Sequence, residues 1–358
     1  MRKIKVLAFY RGKIHEPRGT PIRVFNMLSR LEKSPEIELS VFSWDREDQT
    51  FSKHFFLDNN HIGDVRKIAS YVRDNEVDII IGYTASSLYY LAPLKFLTKA
   101  KITYESHGFM EDEALGYGDI GRIKYYLFKV FFGFCYWLCD LVMTSDGPST
   151  FLILKRWNKN GLMLCGGVDL NNFRPDAPSG GFIEKDGRII IGYAGNARIW
   201  QGVDFLVNAY KKVKEQTDDF RLALLLSEKK DFGSNVETLG PLQNKDVPKF
   251  LVDCDILVIP RPDMPMTKIA FPSKISEYIA MGKAVIVSNV GDMDKIIKDG
   301  ENGLVFQAGD DDEFLSKIFS LRDPSFRARL GKQAVRSAQE LSWDKLVSLL
   351  VANLRKIV

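Results

Sequence analysis

Short runs of apolar, often β-branched residues recur along the chain, and a segment with helical periodicity follows most of them. In the first half these runs span residues 4–10, 37–44, 77–84, 101–106, 141–145 and 161–165. After the first run, Val24, Leu28 and Leu31 share one face of a helix over residues 21–32. Strands that alternate with helices predict βαβ units and a parallel sheet. The runs are apolar almost throughout, which indicates that helices cover both faces of that sheet.

The same alternation restarts after residues 171–181, which are rich in turn-forming residues and are typical of a linker. The second set of runs spans residues 188–194, 220–227, 236–239, 254–260, 284–288 and 303–306. A final helix over 344–358 carries Leu346, Leu350 and Leu354 on one stripe. The pattern therefore predicts two α/β domains, residues 1–178 and 179–341. We expect a cleft where the carboxyl ends of their strands face each other, because ligands bind at such ends.

Composition is that of an ordinary globular chain, with 358 residues of which 45% are apolar and 27% charged. That length exceeds what one hydrophobic core usually supports, which agrees with two domains. The 50 Lys and Arg against 46 Asp and Glu leave a net charge of +4, so no strongly basic module is present. We therefore expect no nucleic-acid partner.

The cysteines and the N-terminal pattern favour a cytoplasmic protein. Four cysteines in no metal-binding spacing predict reduced, packed thiols. The N-terminus lacks the pattern of a signal peptide. The longest nearly apolar stretch, 131–143, is too short to span a bilayer.

Candidate chemistry begins in the loop after the first strand, where Gly19 and Thr20 precede Pro21 at a helix start. Helix N-terminal amides attract anions, so the loop could seat a phosphate. The alternative is an ordinary β-to-α turn. The loop lacks the GxGxxG and P-loop patterns, which counts against a nicotinamide dehydrogenase and a P-loop kinase.

Two further strand ends carry candidate residues. His107 stands before Gly108 and could donate to a sugar hydroxyl or a phosphate, or move a proton; the alternative is a loop or capping histidine. In the first β-to-α loop of the second domain, Arg198 could clamp a diphosphate with its planar fork. The alternative is a solvated arginine.

Residues 270–282 form the most informative stretch. We expect Ser273 to be the N-cap of a helix and Gly282 to end it. Glu277 could then accept two hydrogen bonds from a ribose diol. The amides of Ser273 and Lys274, with the Lys274 ammonium, would suit a diphosphate. The alternative is that Glu277 only complements the helix dipole and that Lys274 is solvated.

Taken in order, these segments resemble a known family, the retaining group 1 glycosyltransferases of the GT-B fold. The similarity lies in the Gly19 loop and in residues 104–108 (YESHG), 139–145, 167–175 (GVDLNNFRP), 237–260 and 291–303. The resemblance implies two Rossmann-like parallel-sheet domains facing a cleft. It implies an N-terminal acceptor-binding domain, a C-terminal donor-binding domain, and a last helix, 342–358, that crosses back onto the first.

The resemblance also implies roles for single residues. Gly19 would close on the donor diphosphate, His107 would contact the transferred sugar, and Glu277 would hold the nucleotide ribose. The full donor-binding set that we predict is Gly19, Thr20, Asn196, Gln201, Leu242, Phe271, Pro272, Ser273 and Glu277, with His107, Arg198 and Lys274 as catalytic residues.

The chain departs from the family pattern at three positions. Ile269 replaces the first Glu of the Glu-x7-Glu motif, Gln201 replaces the usual Lys, and Asn196 replaces the usual Arg. We hypothesise that Lys274 and Arg198 supply the missing positive charge.

The predicted activity is transfer of a sugar from a nucleotide-sugar donor to a saccharide or lipid-linked acceptor, with retention and without a metal or other cofactor. Two alternatives are a GT-B-fold nucleotide-sugar epimerase and a catalytically silent sugar-nucleotide-binding protein. Residues 120–143 are basic and aromatic, which is typical of a helix on the inner membrane surface. They are also apolar on all sides, which is typical of a core helix, and this second interpretation is favoured.

Overall fold

The computed structural model describes residues 2–14, 16, 19–44, 50–116, 118–228, 230–269 and 271–358, apart from the side chains of Glu113 and Ile269. The chain forms two compact units. Unit 1 comprises Met1–Cys165 and Trp343–Val358, and unit 2 comprises Gly166–Ser342.

Each unit is built on a parallel sheet. The strands of unit 1 are β1 (Ile4–Tyr10), β2 (Ile37–Ser43), β3 (His54–Phe56), β4 (Ile79–Tyr83), β5 (Lys101–Ser106), β6 (Leu141–Thr144) and β7 (Gly161–Met163), in the order β3-β2-β1-β4-β5-β6-β7. The strands of unit 2 are β8 (Ile189–Gly195), β9 (Phe220–Leu226), β10 (Val236–Leu239), β11 (Ile256–Ile259), β12 (Ala284–Ser288) and β13 (Leu304–Phe306), in the order β10-β9-β8-β11-β12-β13. Every strand pairing in the described residues is parallel.

Helices follow the strands as the alternation predicts. In chain order they are α1 (Gly19–Lys33), α2 (His61–Asp74), α3 (Ala85–Leu97), α4 (Met110–Gly116), α5 (Arg122–Leu138), α6 (Pro148–Leu154), α7 (Val203–Gln216), α8 (Val247–Leu251), α9 (Pro265–Ile269), α10 (Lys274–Ala280), α11 (Met293–Ile296), α12 (Asp311–Ser320), α13 (Pro324–Glu340) and α14 (Trp343–Ile357).

The predicted strands are found to within two residues at each end, with one omission. Strand β3 was not predicted. It is only three residues long and lies at the sheet edge, so its apolar run is shorter than the four to eight residues that mark a strand.

The last helix belongs to unit 1. Residues of α14 and α1 share one hydrophobic cluster with alternate residues of β1, among them Val6 and Ala8. The buried side chains of α14 are Trp343, Leu346, Val347, Leu350, Val351 and Leu354. Helices α1 and α14, which lie near the beginning and at the end of the sequence of unit 1, thus cover one face of its sheet.

The boundary between the units lies at Cys165–Gly166 and not at residue 178, as the turn-rich stretch had suggested. Val168 and Ala177 lie in a hydrophobic cluster of unit 2. A side chain at Gly166 would meet Ser276 of the same unit. The segment that was expected to link the domains is therefore part of the second one.

The interpretation of residues 120–143 as a core helix was wrong. Helix α5 buries only Phe132, Gly133, Cys135 and Tyr136, and large apolar side chains on its other side are exposed to solvent. Within the described part of the chain, no helix is long and apolar enough to cross a membrane.

Candidate functional site

The order of strands in unit 2 reverses between β8 and β11, which are neighbours in the sheet but not in the sequence. Loops that leave the carboxyl ends of two such strands run in opposite directions and open a crevice, where ligands of open α/β sheets bind. The loop after β8, residues 195–202, and the segment after β11, which leads to α10, meet at this point.

Two glycines allow the close approach of these segments. Gly195 has a φ of 150°, and a Cβ there would lie 2.5 Å from the Lys274 ammonium nitrogen. Gly202 has a φ of 73°, and a Cβ there would lie 1.8 Å from the carbonyl oxygen of Pro260. Larger residues at these positions would push Lys274 and the end of β11 away from β8.

The Lys274 ammonium is held by neutral groups. Its Nζ donates hydrogen bonds to the Tyr193 hydroxyl at 3.0 Å and to Gln201 Oε1 at 3.1 Å. It also lies 4.2 Å from the centroid of the Tyr193 ring. The Tyr193 hydroxyl in turn donates to the carbonyl oxygen of Asn196 at 2.7 Å. The Lys274 side chain is therefore held in place at the switch point.

Burial perturbs the ionisation of both charged residues of α10. Desolvation, reinforced by the nearby Arg261, lowers the pKa of Lys274 to about 7. Desolvation raises the pKa of Glu277 to about 7, although Lys274 one turn earlier acts against it. Titratable groups shifted toward neutrality by burial are typical of functional sites.

Tyr278 fixes α10 against β8. Its hydroxyl accepts a hydrogen bond from the Ala194 amide at 2.7 Å and donates to the Ala194 carbonyl at 3.4 Å. The position of Lys274 and Glu277 relative to the loop after β8 is thereby set.

The remaining predicted donor residues of unit 2 are arranged less closely. Ser273 occupies the N-cap position of α10, but its backbone is helical and its side chain makes no capping hydrogen bond, so the expected cap is not formed. Arg198 is exposed, with its guanidinium over Trp200 at 5.1 Å, and not at the Lys274 cluster.

The apolar members of that set contribute mainly to packing. Leu242 and Phe271 are partly buried against a hydrophobic cluster of unit 2, and Pro272 is buried beside them in the sequence. Ile269 stands where the family motif has its first Glu. Its side chain and Ala270 lie outside the described residues.

In unit 1, the first loop leads into α1, which begins at Gly19. Apart from its chain neighbours, no described residue has an atom within 4 Å of where a Cβ of Gly19 would be. Thr20 follows in the first turn and is half-exposed.

His107 is part of a buried polar cluster that the sequence did not predict. Its Nε2 lies 3.3 Å from Glu105 Oε1, and the same oxygen accepts a hydrogen bond from Arg23 Nε at 2.5 Å. Arg23 also donates to the carbonyl oxygen of Leu164 at 2.6 Å. Burial alone would raise the pKa of Glu105, but Arg23 and His107 outweigh it and hold that pKa at about 2.

A second carboxylate shapes the turn that follows. The amide of Gly108 donates to Asp146 Oδ2 at 2.7 Å, and Gly108 has a φ of 90° that favours glycine. The direction of His107 is therefore set by Glu105 on one side and by this turn on the other.

Arg23 and Glu105 carried a signal in the sequence. Arg23 interrupts the apolar face of α1, and Glu105 is a charged residue within a buried strand. A charged residue at a buried position needs a partner of opposite charge. The pattern thus marks both residues, but it does not pair them across the 82 residues that separate them.

No group of three or more His, Cys, Asp and Glu side chains among the described residues could hold a metal ion. Independence from metal stays a prediction.

Comparisons with known proteins agree with this geometry. Residues 188–323, all within unit 2, match the family model described as "Glycosyl transferases group 1". An uncharacterized glycosyltransferase of Methanocaldococcus jannaschii is 28% identical over 158 residues, which cover 41% of this chain and 42% of that protein. The chain thus aligns with less than half the length of this relative.

Two solved structures are similar over nearly the whole chain. A glycosyltransferase from Rickettsia africae gives a TM-score of 0.77 at 16% identity and covers 100% of this chain and 99% of its own. Anabaena HepE in complex with UDP also gives 0.77 at 16% identity and covers 99% of this chain and 100% of its own. The comparisons confirm the GT-B fold and, for residues 188–323, the resemblance to group 1 glycosyltransferases.

Proposed function

We propose that the protein transfers a sugar from a nucleotide-sugar donor to a saccharide or lipid-linked acceptor, with retention of configuration and without a metal. The observation that carries this proposal is the Lys274 ammonium at the switch point of unit 2. A fixed cation in that position suits the charge that develops on a departing diphosphate.

The hydrogen bond between Lys274 and Gln201 supports a relocated charge. Gln201 stands where the family has a lysine, and its carboxamide oxygen accepts from the ammonium of Lys274. In our proposal, Lys274 supplies the cation that Gln201 lacks, and Glu277, one turn further along α10, receives the ribose diol. Arg198 acts less directly, because its guanidinium stacks on Trp200.

The proposed reaction is a substitution on one face of the sugar. The bond between the anomeric carbon and the diphosphate oxygen breaks, and the acceptor hydroxyl oxygen bonds to that carbon from the same side. The hydroxyl proton passes to the departing phosphate. A double displacement would need a second carboxylate about 5–5.5 Å from the first, and we nominate no such pair. In our proposal, positioning of the donor and the charge of Lys274 promote the reaction instead.

Thermal shift with UDP-, GDP- and ADP-sugars tests donor binding, because a ligand of the folded state raises the unfolding temperature. The UDP complex of HepE makes UDP-sugars the first to try. We expect Lys274→Met to weaken donor binding roughly 10- to 100-fold, since a charge-assisted hydrogen bond is lost. Lys211→Met, on the exposed side of α7, is the matched control.

Incubation with the donor and analysis of products by NMR separates the alternatives. Slow release of free sugar in the donor's anomeric configuration supports retention, and release of the inverted sugar contradicts it. Formation of an epimeric donor would identify an epimerase. Donor binding without any turnover, with a panel of acceptors present, would identify a silent binding protein.

A further inference from the structure

Helix α5 carries a continuous apolar stripe that unit 1 does not cover. Its members are large side chains between 50% and 81% exposed: Ile123, Tyr126, Leu127, Val130, Phe134 and Trp137. The opposite face of the same helix packs into the unit through Phe132 and Tyr136. We call the six exposed residues the α5 stripe.

The spacing of the α5 stripe makes it a single surface. At 100° per residue, the six positions fall within an arc of about 100°, and the 14 steps from Ile123 to Trp137 correspond to roughly 21 Å along the axis. Protein surfaces rarely leave apolar patches of that extent exposed unless something binds there.

The charges on the helix flank the stripe on both sides. On the same helical wheel, Arg122 and Lys129 lie about 90–110° to one side of its centre, and Lys124 lies about 110° to the other. Arg122 and Lys124 are exposed, and the Lys129 ammonium donates to the Tyr125 hydroxyl at 2.8 Å. The helix contains no Asp or Glu.

We propose that the α5 stripe lies in the surface of an anionic lipid bilayer. The helix would run in the plane of the membrane, with the stripe toward the acyl chains and the flanking cations at the level of the lipid phosphates. Tyr126 and Trp137 suit this boundary, because each has an apolar body and a polar tip. With 17 residues, α5 lies on the bilayer and does not cross it.

Charge favours a bilayer over a second copy of the chain as the occupant. A symmetric dimer brings the same patch of two copies together. The three cations beside one stripe would then face the three cations of the other. No acidic residue lies on either copy of α5, and Asp112 and Glu111 of α4 interact with Lys129 alone of the three. Anionic headgroups complement the cations instead. The proposal does not depend on sugar transfer, since it concerns binding without donor or acceptor.

Flotation of the full chain with vesicles tests the proposal. The vesicles contain phosphatidylcholine alone or mixed with phosphatidylglycerol. Leu127→Glu removes an apolar member of the stripe, and Ile62→Glu is a matched control, because Ile62 on α2 is also 65% exposed but lies off the stripe. Thermal unfolding of both variants checks that they are folded.

We expect the wild type and Ile62→Glu to float with the anionic vesicles, less so at high salt, and not with phosphatidylcholine alone. Leu127→Glu should lower the partition coefficient at least about tenfold, and Lys124→Gln about fivefold. Equal flotation of Leu127→Glu and wild type would overturn the proposal. So would a wild type that binds no vesicle but forms a dimer, by light scattering, that Leu127→Glu abolishes.

Discussion

Lys274 is a cation that the folded chain holds at a cost. Its hydrogen-bond acceptors, the hydroxyl of Tyr193 and the amide oxygen of Gln201, are neutral, so they offset only part of the lost hydration. An incoming diphosphate would provide the missing counter-charge. The residue is therefore arranged to gain more from a bound anion than a solvated lysine would.

This arrangement predicts a pH dependence of donor binding. With a pKa of about 7 in the free protein, Lys274 loses its proton as the pH rises above about 7. Donor affinity should then fall, by up to about tenfold per pH unit, because the diphosphate needs the charged form. Glu277, whose pKa is also about 7, should weaken binding on the acid side as it becomes protonated.

Titration calorimetry at pH values from about 6 to 9 checks this prediction. Lys274→Met should bind weakly and lack the alkaline fall, while Glu277→Gln should lack the acid one. If the donor affinity of Lys274→Met fell at alkaline pH as that of the wild type does, the titration of another group would have to cause the fall.

The Arg23–Glu105 pair predicts a large loss of stability for Glu105→Gln. Removing one partner of a buried ion pair costs about 3–5 kcal/mol of unfolding free energy, because the other charge stays buried without the attraction of that partner. Urea unfolding at pH 7 measures the loss. Glu38→Gln, which breaks the exposed pair with Lys53, should cost no more than about 1 kcal/mol.

The Arg23–Glu105 pair also makes the stability of the protein depend on pH in the acid range. The pKa of Glu105 falls from 4.5 to about 2 on folding. Its stabilising effect is therefore complete above pH 4.5 and is lost as the pH falls through about 2. The Glu105→Gln variant should lack this part of the acid dependence, and an unchanged acid profile would contradict the assignment.

The sequence singled out the residues that we propose bind the donor more readily than the residues that hold them in place. Gln201, Lys274 and Glu277 were singled out by motif spacing, and the structure brings them to one strand end. Tyr193 was not singled out, because a tyrosine in a buried strand looks like core and its hydroxyl contact with Lys274 spans 81 residues. Which residues meet across such a separation in the sequence depends on the order of the strands in the sheet. Hydrophobic periodicity does not specify that order.

At the scale of elements, the Tyr278 hydroxyl links α10 to the backbone of β8, in addition to the apolar packing between the two elements. Tyr278→Phe leaves the buried amide of Ala194 without the 2.7 Å hydrogen bond that it makes now. We expect a loss of about 1–3 kcal/mol in unfolding free energy and a weaker donor Kd, because Lys274 and Glu277 shift with the helix.

Tyr210→Phe is the control for this change. Its hydroxyl donates to the Phe220 carbonyl at 3.2 Å, and it lies on α7, away from α10. The control should lose stability by chemical unfolding but keep its donor Kd in calorimetry. If both variants kept the wild-type Kd, α10 would not need this anchor.

The apolar pattern of helix α5 did not predict which of its faces is buried. Apolar residues occur all round it, so periodicity gave no preferred face, and a core position was the reasonable expectation. The structure buries the side with Phe132 and Tyr136 and leaves the other uncovered. Which side packs depends on the neighbouring α3, where Tyr89 stacks on Phe131, and not on α5 itself.

At the scale of the whole molecule, unit 2 is an insertion in unit 1. The chain leaves unit 1 after Cys165 and returns at Trp343. Arg23 contacts the chain where it leaves unit 1 and where it returns. It donates to the Leu164 carbonyl, and its guanidinium lies 5.5 Å from the centroid of the Trp343 ring. The chain's exit from unit 1 and its return lie close together in space.

This topology predicts the behaviour of fragments. Residues 1–165 alone should not fold stably, because the buried face of α14 would be missing from the core. The same residues joined to 343–358 by a short Gly-Ser linker should fold, and residues 166–342 should fold alone. Circular dichroism and cooperative thermal unfolding measure this. A stably folded 1–165 fragment would contradict the prediction.

The position of α14 also sets an order of events during synthesis. Domains generally form as units in the order in which they leave the ribosome, the N-terminal one first. Here unit 1 needs residues that are translated after unit 2, since Leu346, Leu350 and Leu354 complete its core. Unit 2 can therefore fold first, although it is translated after most of unit 1. The apolar face of α1 in unit 1 stays uncovered until α14 is made. A message that stops after residue 342 would spare unit 2 and leave the core of unit 1 incomplete.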